Sequence, residues 1–302
     1  MSSGASRERW QGMGTSLFIE QLLNGVQFGV MLFLISAGLT LVFGIMNLIN
    51  LAHGSLYMTG AFIAAAFIRI TDNFLLAVVI ALVLTALIGV VMERLVLRRF
   101  YARSHLDQVL ATFGLILVFN DLVRLVWGVV PVQLRLPGPF SGSVQLVADV
   151  QYPAFRLVIL VVGLLVALGL YVVVVHTRLG MWIRAGASNR PMASALGVDV
   201  GLIFSLVFAA GAALAGLAGL MAGAISSVQV GMGEPVLILA LVVTVIGGIG
   251  SIRGAFLAAL MIGVADTFGR VLLPPALGSM VIFMLMAAIL AWRPKGLFPV
   301  NA

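Results

Sequence analysis

Asn47, Asn50, His53, Ser55 and Tyr57 all fall in one stretch, NLINLAHGSLYMTGAF (Asn47 to Phe62), inside an apolar run from about Leu17 to Ile70. If the stretch is helical, Asn50, His53, Gly54, Tyr57 and Ala61 share a face, because steps of three and four residues return to the same side. Polar groups then converge beside small residues. In lipid such groups are costly unless they face a bundle interior or a water-filled cavity. Two readings stay open: Asn47, Asn50 and His53 cap two helices at a hairpin, or the stripe lines a passage. A hydrolase reading would need His53 to activate Ser55, but residues two apart on a helix do not face each other.

The other chemistry-bearing positions are sparse. IGGIGSIRGAFLAALMIG (Ile246 to Gly263) echoes the first stretch, with Gly247, Gly248, Gly250 and Ser251 at a polar break between apolar segments. Gly-interrupted segments in matching places of two halves point to a transport pathway; a chance echo in a Gly- and Ala-rich chain is the alternative. Asp121 with Arg124 and Asp266 with Arg270 stand three and four residues apart, so each pair can neutralise itself on one helix face. GAALAGLAGLMAG sets Gly211, Ala215, Gly219 and Gly223 at four-residue steps, a pattern that lets helices approach closely in lipid.

Enzyme signatures are missing. A phosphate-binding loop needs Gly-Lys-Ser/Thr, and the sole lysine, Lys295, is followed by Gly296. No His-Glu-x-x-His zinc motif occurs, there is no cysteine, and His53, His105 and His176 are isolated, so no metal site is expected. The chain reads as no enzyme, with no cofactor of its own.

The elements that must position these residues follow from composition. Of 302 residues, 62% are hydrophobic and 9% charged, with a mean hydropathy of +1.21; a soluble domain carries about a quarter charged residues. Apolar windows lie at roughly 17 to 45, 48 to 68, 74 to 97, 108 to 127, 156 to 176, 201 to 226, 236 to 250, 254 to 272 and 276 to 292. They predict an all-α polytopic membrane protein with about eight or nine transmembrane segments, some broken or short; the window at 236 to 250 is the shortest and the candidate re-entrant segment. The net charge of +7 does not indicate nucleic acid, because Arg94, Arg98, Arg99 and Arg103, then Arg178, Arg184 and Arg190, then Arg293 and Lys295 cluster between spans. Such clusters mark cytoplasmic ends. The expected organisation is a polar tail over 1–16, a transmembrane domain over 17–293 with an external loop at about 128–155 and a cytoplasmic loop at about 177–200, and a cytoplasmic tail over 294–302. No cleaved signal peptide is expected.

Between two spans lies HTRLGMWIRAGASNRPMASALGVDVGL, basic, mildly amphipathic and too polar for lipid. It is either a solvated loop or a short helix that a protein on the inner face would grip, with Ala187, Ala193 and Gly197 at packing positions.

The segments Leu22 to Phe62, Arg178 to Val198 and Thr244 to Asp266 resemble, in order and spacing, the branched-chain amino-acid ABC transporter permeases of the LivH type. The resemblance implies a bacterial inner-membrane permease paired with a second, LivM-like permease, two cytoplasmic ATPase subunits that hold ATP and Mg, and a periplasmic amino-acid-binding protein. It implies a coupling helix toward the ATPase at Gly180, Arg184, Ala185, Asn189, Ala193 and Gly197. Relatives often carry an acid in this loop, where this chain has Arg190 and Pro191. The same permease type serves urea and short amides, and a stand-alone ion-coupled carrier is the remaining alternative.

Overall fold

The computed structural model describes residues 3–146, 151–278 and 280–298. Helix α1 runs Ser3–Met46, and its part from Ser16 is apolar and long enough to cross a membrane. It is followed by α2 (His53–Thr71), α3 (Phe74–Leu95) and, after a 3-10 turn at Leu97–Phe100, by α4 (His105–Trp127). A small antiparallel hairpin of β1 (Ser143–Gln145) and β2 (Gln151–Pro153) precedes α5 (Ala154–His176). The short α6 (Arg178–Ser188) and α7 (Arg190–Ala195) lead to α8 (Val200–Ile225), α9 (Gly233–Gly247), α10 (Ile252–Leu272), α11 (Pro275–Gly278) and α12 (Val281–Trp292). Among the described residues, α1, α2, α3, α4, α5, α8 and α10 have the length and apolarity to span a membrane, while α9 and α12 are apolar but shorter. The chain is an all-α polytopic membrane protein in which each expected apolar window carries a helix.

Side chains terminate most of these helices. Ser104 and Asp107 form a reciprocal capping box on α4. Asn73, Asp199 and Ser251 accept from first-turn amides of α3, α8 and α10. Such caps satisfy amides that a helix leaves unbonded. Helices α2 and α9 have no side-chain cap; Ala52 and Met232 stand in those positions.

The interior is built from α1, α2, α8, α9 and α10. Gly25 meets Val264 and Gly29 meets Leu260, so α1 and α10 run antiparallel with their backbones nearly touching. Thr85 lies against Gly216, Gly89 against Ala212, and Glu93 against Ser205, which sets α3 antiparallel to α8. Exposed Leu110, Leu117, Leu125, Leu164 and Leu168 on α4 and α5 present an apolar face suited to lipid.

These pairings define two ends. At a basic end lie the C-termini of α1 and α3, the start of α4, α6 and α7, and the residues after α12, where Leu297 N donates to Ile246 O at 2.8 Å and Phe298 N to Gly247 O at 3.2 Å. At the opposite end, Arg156 at the start of α5 donates to Asn24 on α1. Two helices break the pattern. The segment 47–52 leaves the basic end, where Ile49 N donates to Gln108 Oε1 at 3.1 Å, and climbs to His53, whose Nε2 lies 3.2 Å from Ile35 O midway along α1. The segment 226–232 leaves the opposite end, where Val228 and Val132 exchange backbone hydrogen bonds of 2.8 and 2.9 Å, and descends to Gly233. Helices α2 and α9 therefore both begin in the middle of the bundle and diverge from there.

Candidate functional site

The two mid-bundle helix starts touch at glycine. A Cβ on Gly54 would stand 2.6 Å from Gly233 O and 3.2 Å from Leu237 Cβ, and one on Gly233 would collide with the backbone of Gly54 in turn. Only residues without side chains permit this approach. Tyr57, one turn further along α2, presses its backbone on Gly219 of α8, and Met58 Sδ accepts from Gly231 N at 3.3 Å. A helix N-terminus carries partial positive charge and free amides. Both termini are uncapped, so the contact unites two electropositive ends inside a polytopic membrane protein.

The polar groups around this contact are incompletely satisfied. His53 is fully buried; its Nε2 meets Ile35 O, but among the described residues its Nδ1 has no partner. Asn50 is buried with neither atom of its side-chain amide bonded. Buried amides without partners cost about 1–3 kcal/mol and call for an explanation in function, water or ligand. Asn50 does not sit on the helix, as the periodic reading had it, but on the climbing segment, because Asn47 adopts a left-handed φ of 52° and ends α1. Asn47 is exposed at the basic end, where its amide bonds Phe43 O at 2.9 Å. It is a helix terminator, apart from the mid-bundle group.

Gly247, Gly248, Gly250 and Ser251 form the turn between α9 and α10 at the basic end. Gly248 and Gly250 take positive φ values of 98° and 81°, Gly247 packs on Gly254, Gly250 lies against Gly44, and Ser251 caps α10. The partner of the first break in space is instead the run SSVQVGMGEP (Ser226 to Pro235), which the sequence reading passed over. Its signals were two glycines, Glu234 and Pro235 at the start of an apolar run, a helix-start pattern. Glu234 Oε1 accepts from Asn120 Nδ2 at 2.7 Å, which ties the start of α9 to α4.

The four-residue row on α8 faces inward. Gly211 lies against Gly38, Ala215 is fully buried, Gly219 meets Tyr57, and Gly223 leaves no room beside Val228 and Leu134. Gly216, off that row, packs on Gly60 and Thr85. Both expected ion pairs form, Arg124–Asp121 at 3.2 Å and Arg270–Asp266 at 2.8 Å.

At the basic end, α6 and α7 are anchored to their own chain. Gly180 is buried against the Val174 carbonyl, to which Arg184 also donates. Ala185 is exposed, and its carbonyl accepts from Asn189 N, while the Asn189 side chain caps α7 through Met192 N at 3.0 Å. Ala193, expected to face a partner, is 3% exposed and turned into the chain. Gly197 is exposed with φ 85° and open space where a side chain would be. The outward residues are Met192 and Leu196, 58% and 77% exposed, which the small-residue pattern missed.

Arg190 links this end to the interior. Its guanidinium donates to Met46 O at 2.7 Å and Ile45 O at 3.4 Å, the last carbonyls of α1, and stacks 5.0 Å above the Phe204 ring. A cation there complements the negative end of α1. Beside it, Tyr101 donates to buried Glu93 at 2.6 Å, and Ser205 donates to the other carboxylate oxygen at 2.7 Å. Burial, then the bond and charge of Glu93, push the Tyr101 phenol above its usual range. The residues of α7, α1, α3 and α8 thus form one polar chain under the segment that climbs to Asn50.

The family model for the permease component of branched-chain amino acid transport systems matches residues 21–290. The chain is 33% identical over 294 residues to the high-affinity branched-chain amino acid transport permease BraD of Pseudomonas aeruginosa, covering 93% of this chain and 95% of that protein. It is 31% identical to LivH of Escherichia coli with the same coverage, and 31% identical over 259 residues to the ribose import permease RbsC of that organism, covering 81% and 76%. No solved structure matches it. With most of its length matched by the family model and its breaks, spans and basic end laid out as above, the chain belongs to the branched-chain amino acid transport permease family.

Proposed function

We propose that the chain is the translocation subunit of an ABC importer for branched-chain or other apolar amino acids in a bacterial inner membrane. In this reading the basic end is cytoplasmic, in keeping with the positive-inside rule. Separate ATPase subunits dock on α6 and α7, a periplasmic binding protein delivers substrate to the opposite end, and a second permease completes the pathway. The observation that carries the reading is the Gly54–Gly233 contact, where two helices entered from opposite ends begin at mid-bundle with uncapped N-termini. An amino-acid carboxylate passing between them would meet free amides and Asn50 without needing a resident cation. The relatives' names support the substrate class, and the basic loop supports an ATPase partner.

The deciding experiment is leucine uptake by proteoliposomes holding the permease with its ATPase and binding-protein partners. Accumulation that requires internal ATP and the binding protein is expected. Uptake by this chain alone, driven by an ion gradient, would replace the importer reading with that of a secondary carrier. Buried Asp266 is already paired with Arg270, which leaves it poorly placed for proton relay.

A further inference from the structure

A cavity of about 640 Å³ opens where α2 ends, walled by the last turns of α2 and α4 and by the segment after Trp127. Its volume is within the range of small-molecule sites, roughly 300–1,000 Å³. Arg69 lies sixteen residues beyond His53 on α2, about 24 Å along a straight helix, against a hydrocarbon half-thickness of about 15 Å. The cavity therefore opens in the aqueous layer at the end opposite the basic one. Its charged walls are Arg69, Asp72 and Arg135; its apolar walls include Ile68, Trp127 and Val132. Among the described residues, none of the three charged side chains has a hydrogen-bond or ion-pair partner, although two cations and one anion line the same space. Asp72 is held in the left-handed region at φ 49°, as the residue that ends α2. Val132 is the residue that pairs with Val228, at the top of the segment leading down to Gly233.

We propose that this cavity is a vestibular binding site for a free zwitterionic α-amino acid with an apolar side chain. Arg69 and Arg135 receive the carboxylate through their planar donor forks. Asp72 receives the α-ammonium, and Ile68, Trp127 and Val132 cover the side chain. The assignment rests on the amino-acid reading above and deepens it: a neutral amide, urea or a sugar has no use for paired cations facing an anion. It places a substrate site on the permease itself, ahead of the mid-bundle contact and separate from the binding protein.

The test uses the purified permease complex in nanodiscs, without nucleotide and without binding protein. Binding of radiolabelled leucine is measured at equilibrium, with 4-methylpentanoate, which lacks the ammonium, and leucinamide, which lacks the carboxylate, as competitors. Saturable leucine binding is expected, with each competitor at least about tenfold weaker than leucine, the size of one lost charged contact. R69Q and R135Q should each weaken leucine by a similar factor, and D72N should remove the preference for leucine over 4-methylpentanoate. The same preparations are assayed for uptake with binding protein added. Leucine transport without saturable binding, or binding unchanged in all three variants, overturns the site and leaves the amino-acid reading standing. A complex that neither binds nor transports any amino acid removes both.

Discussion

Asn50 concentrates the question of function in a single side chain. Its amide is buried and bonded to nothing, so a residue serving only stability would be better replaced. Leucine has similar volume and no polar group to desolvate, and exchanges of that kind are neutral or stabilising at unsatisfied sites. N50L should keep or raise the melting temperature of the assembled complex while lowering substrate uptake at least about tenfold, equivalent to about 1.4 kcal/mol. Unchanged uptake in a stabilised complex would assign Asn50 to packing alone. Part of this was legible in sequence, since two Asn and a His inside an apolar run announce a polar break. The division of labour was not. A left-handed φ at Asn47 ends α1 one turn before the stripe was expected to begin, and backbone angles of that kind are not encoded in periodicity.

At the scale of elements, the spans were legible because a membrane-length helix needs about 20 apolar residues and little else. The start of α9 was not, because its position is fixed by Val132 pairing with Val228 and by Gly233 meeting Gly54, contacts between residues far apart in sequence. The orientation of α7 was likewise hidden. In so short a helix, small residues at the right spacing fit either a partner or the parent chain, and Ala193 took the latter. Coupling is thus predicted to run through different residues. R190A removes two bonds to the α1 carbonyls and the stacking on Phe204; it should leave the permease inserted but weaken the stimulation of ATPase activity by loaded binding protein several-fold, with R190K intermediate because a point charge cannot form the same fork. L196D, on the exposed side of α7, should reduce co-purification of the ATPase subunits by desolvating a charge in an apolar contact. Parental stimulation in R190A together with full ATPase recovery in L196D would make this end a passive loop.

The whole molecule has a sidedness that its charges assign. The chain contains no cysteine, so single thiols report topology without background. Ser188, beside α7, and Ser143, in the hairpin before α5, are both exposed. S143C should react with an impermeant thiol reagent added to the periplasmic side of spheroplasts, and S188C only after the membrane is opened; the reverse pattern would invert the importer. Between these faces the account has one narrow place, the Gly54–Gly233 contact, and the most direct measurement probes it from within. Ser55 lies in the first turn of α2 and is 4% exposed, and Ser→Cys changes its bulk little. In proteoliposomes carrying the full complex, S55C should resist a charged, amino-acid-sized methanethiosulfonate at rest. It should become reactive only during ATP- and binding-protein-driven turnover, with excess leucine slowing the modification. A thiol that stays unreactive throughout turnover while leucine uptake continues at the parental rate would contradict a passage between the starts of α2 and α9.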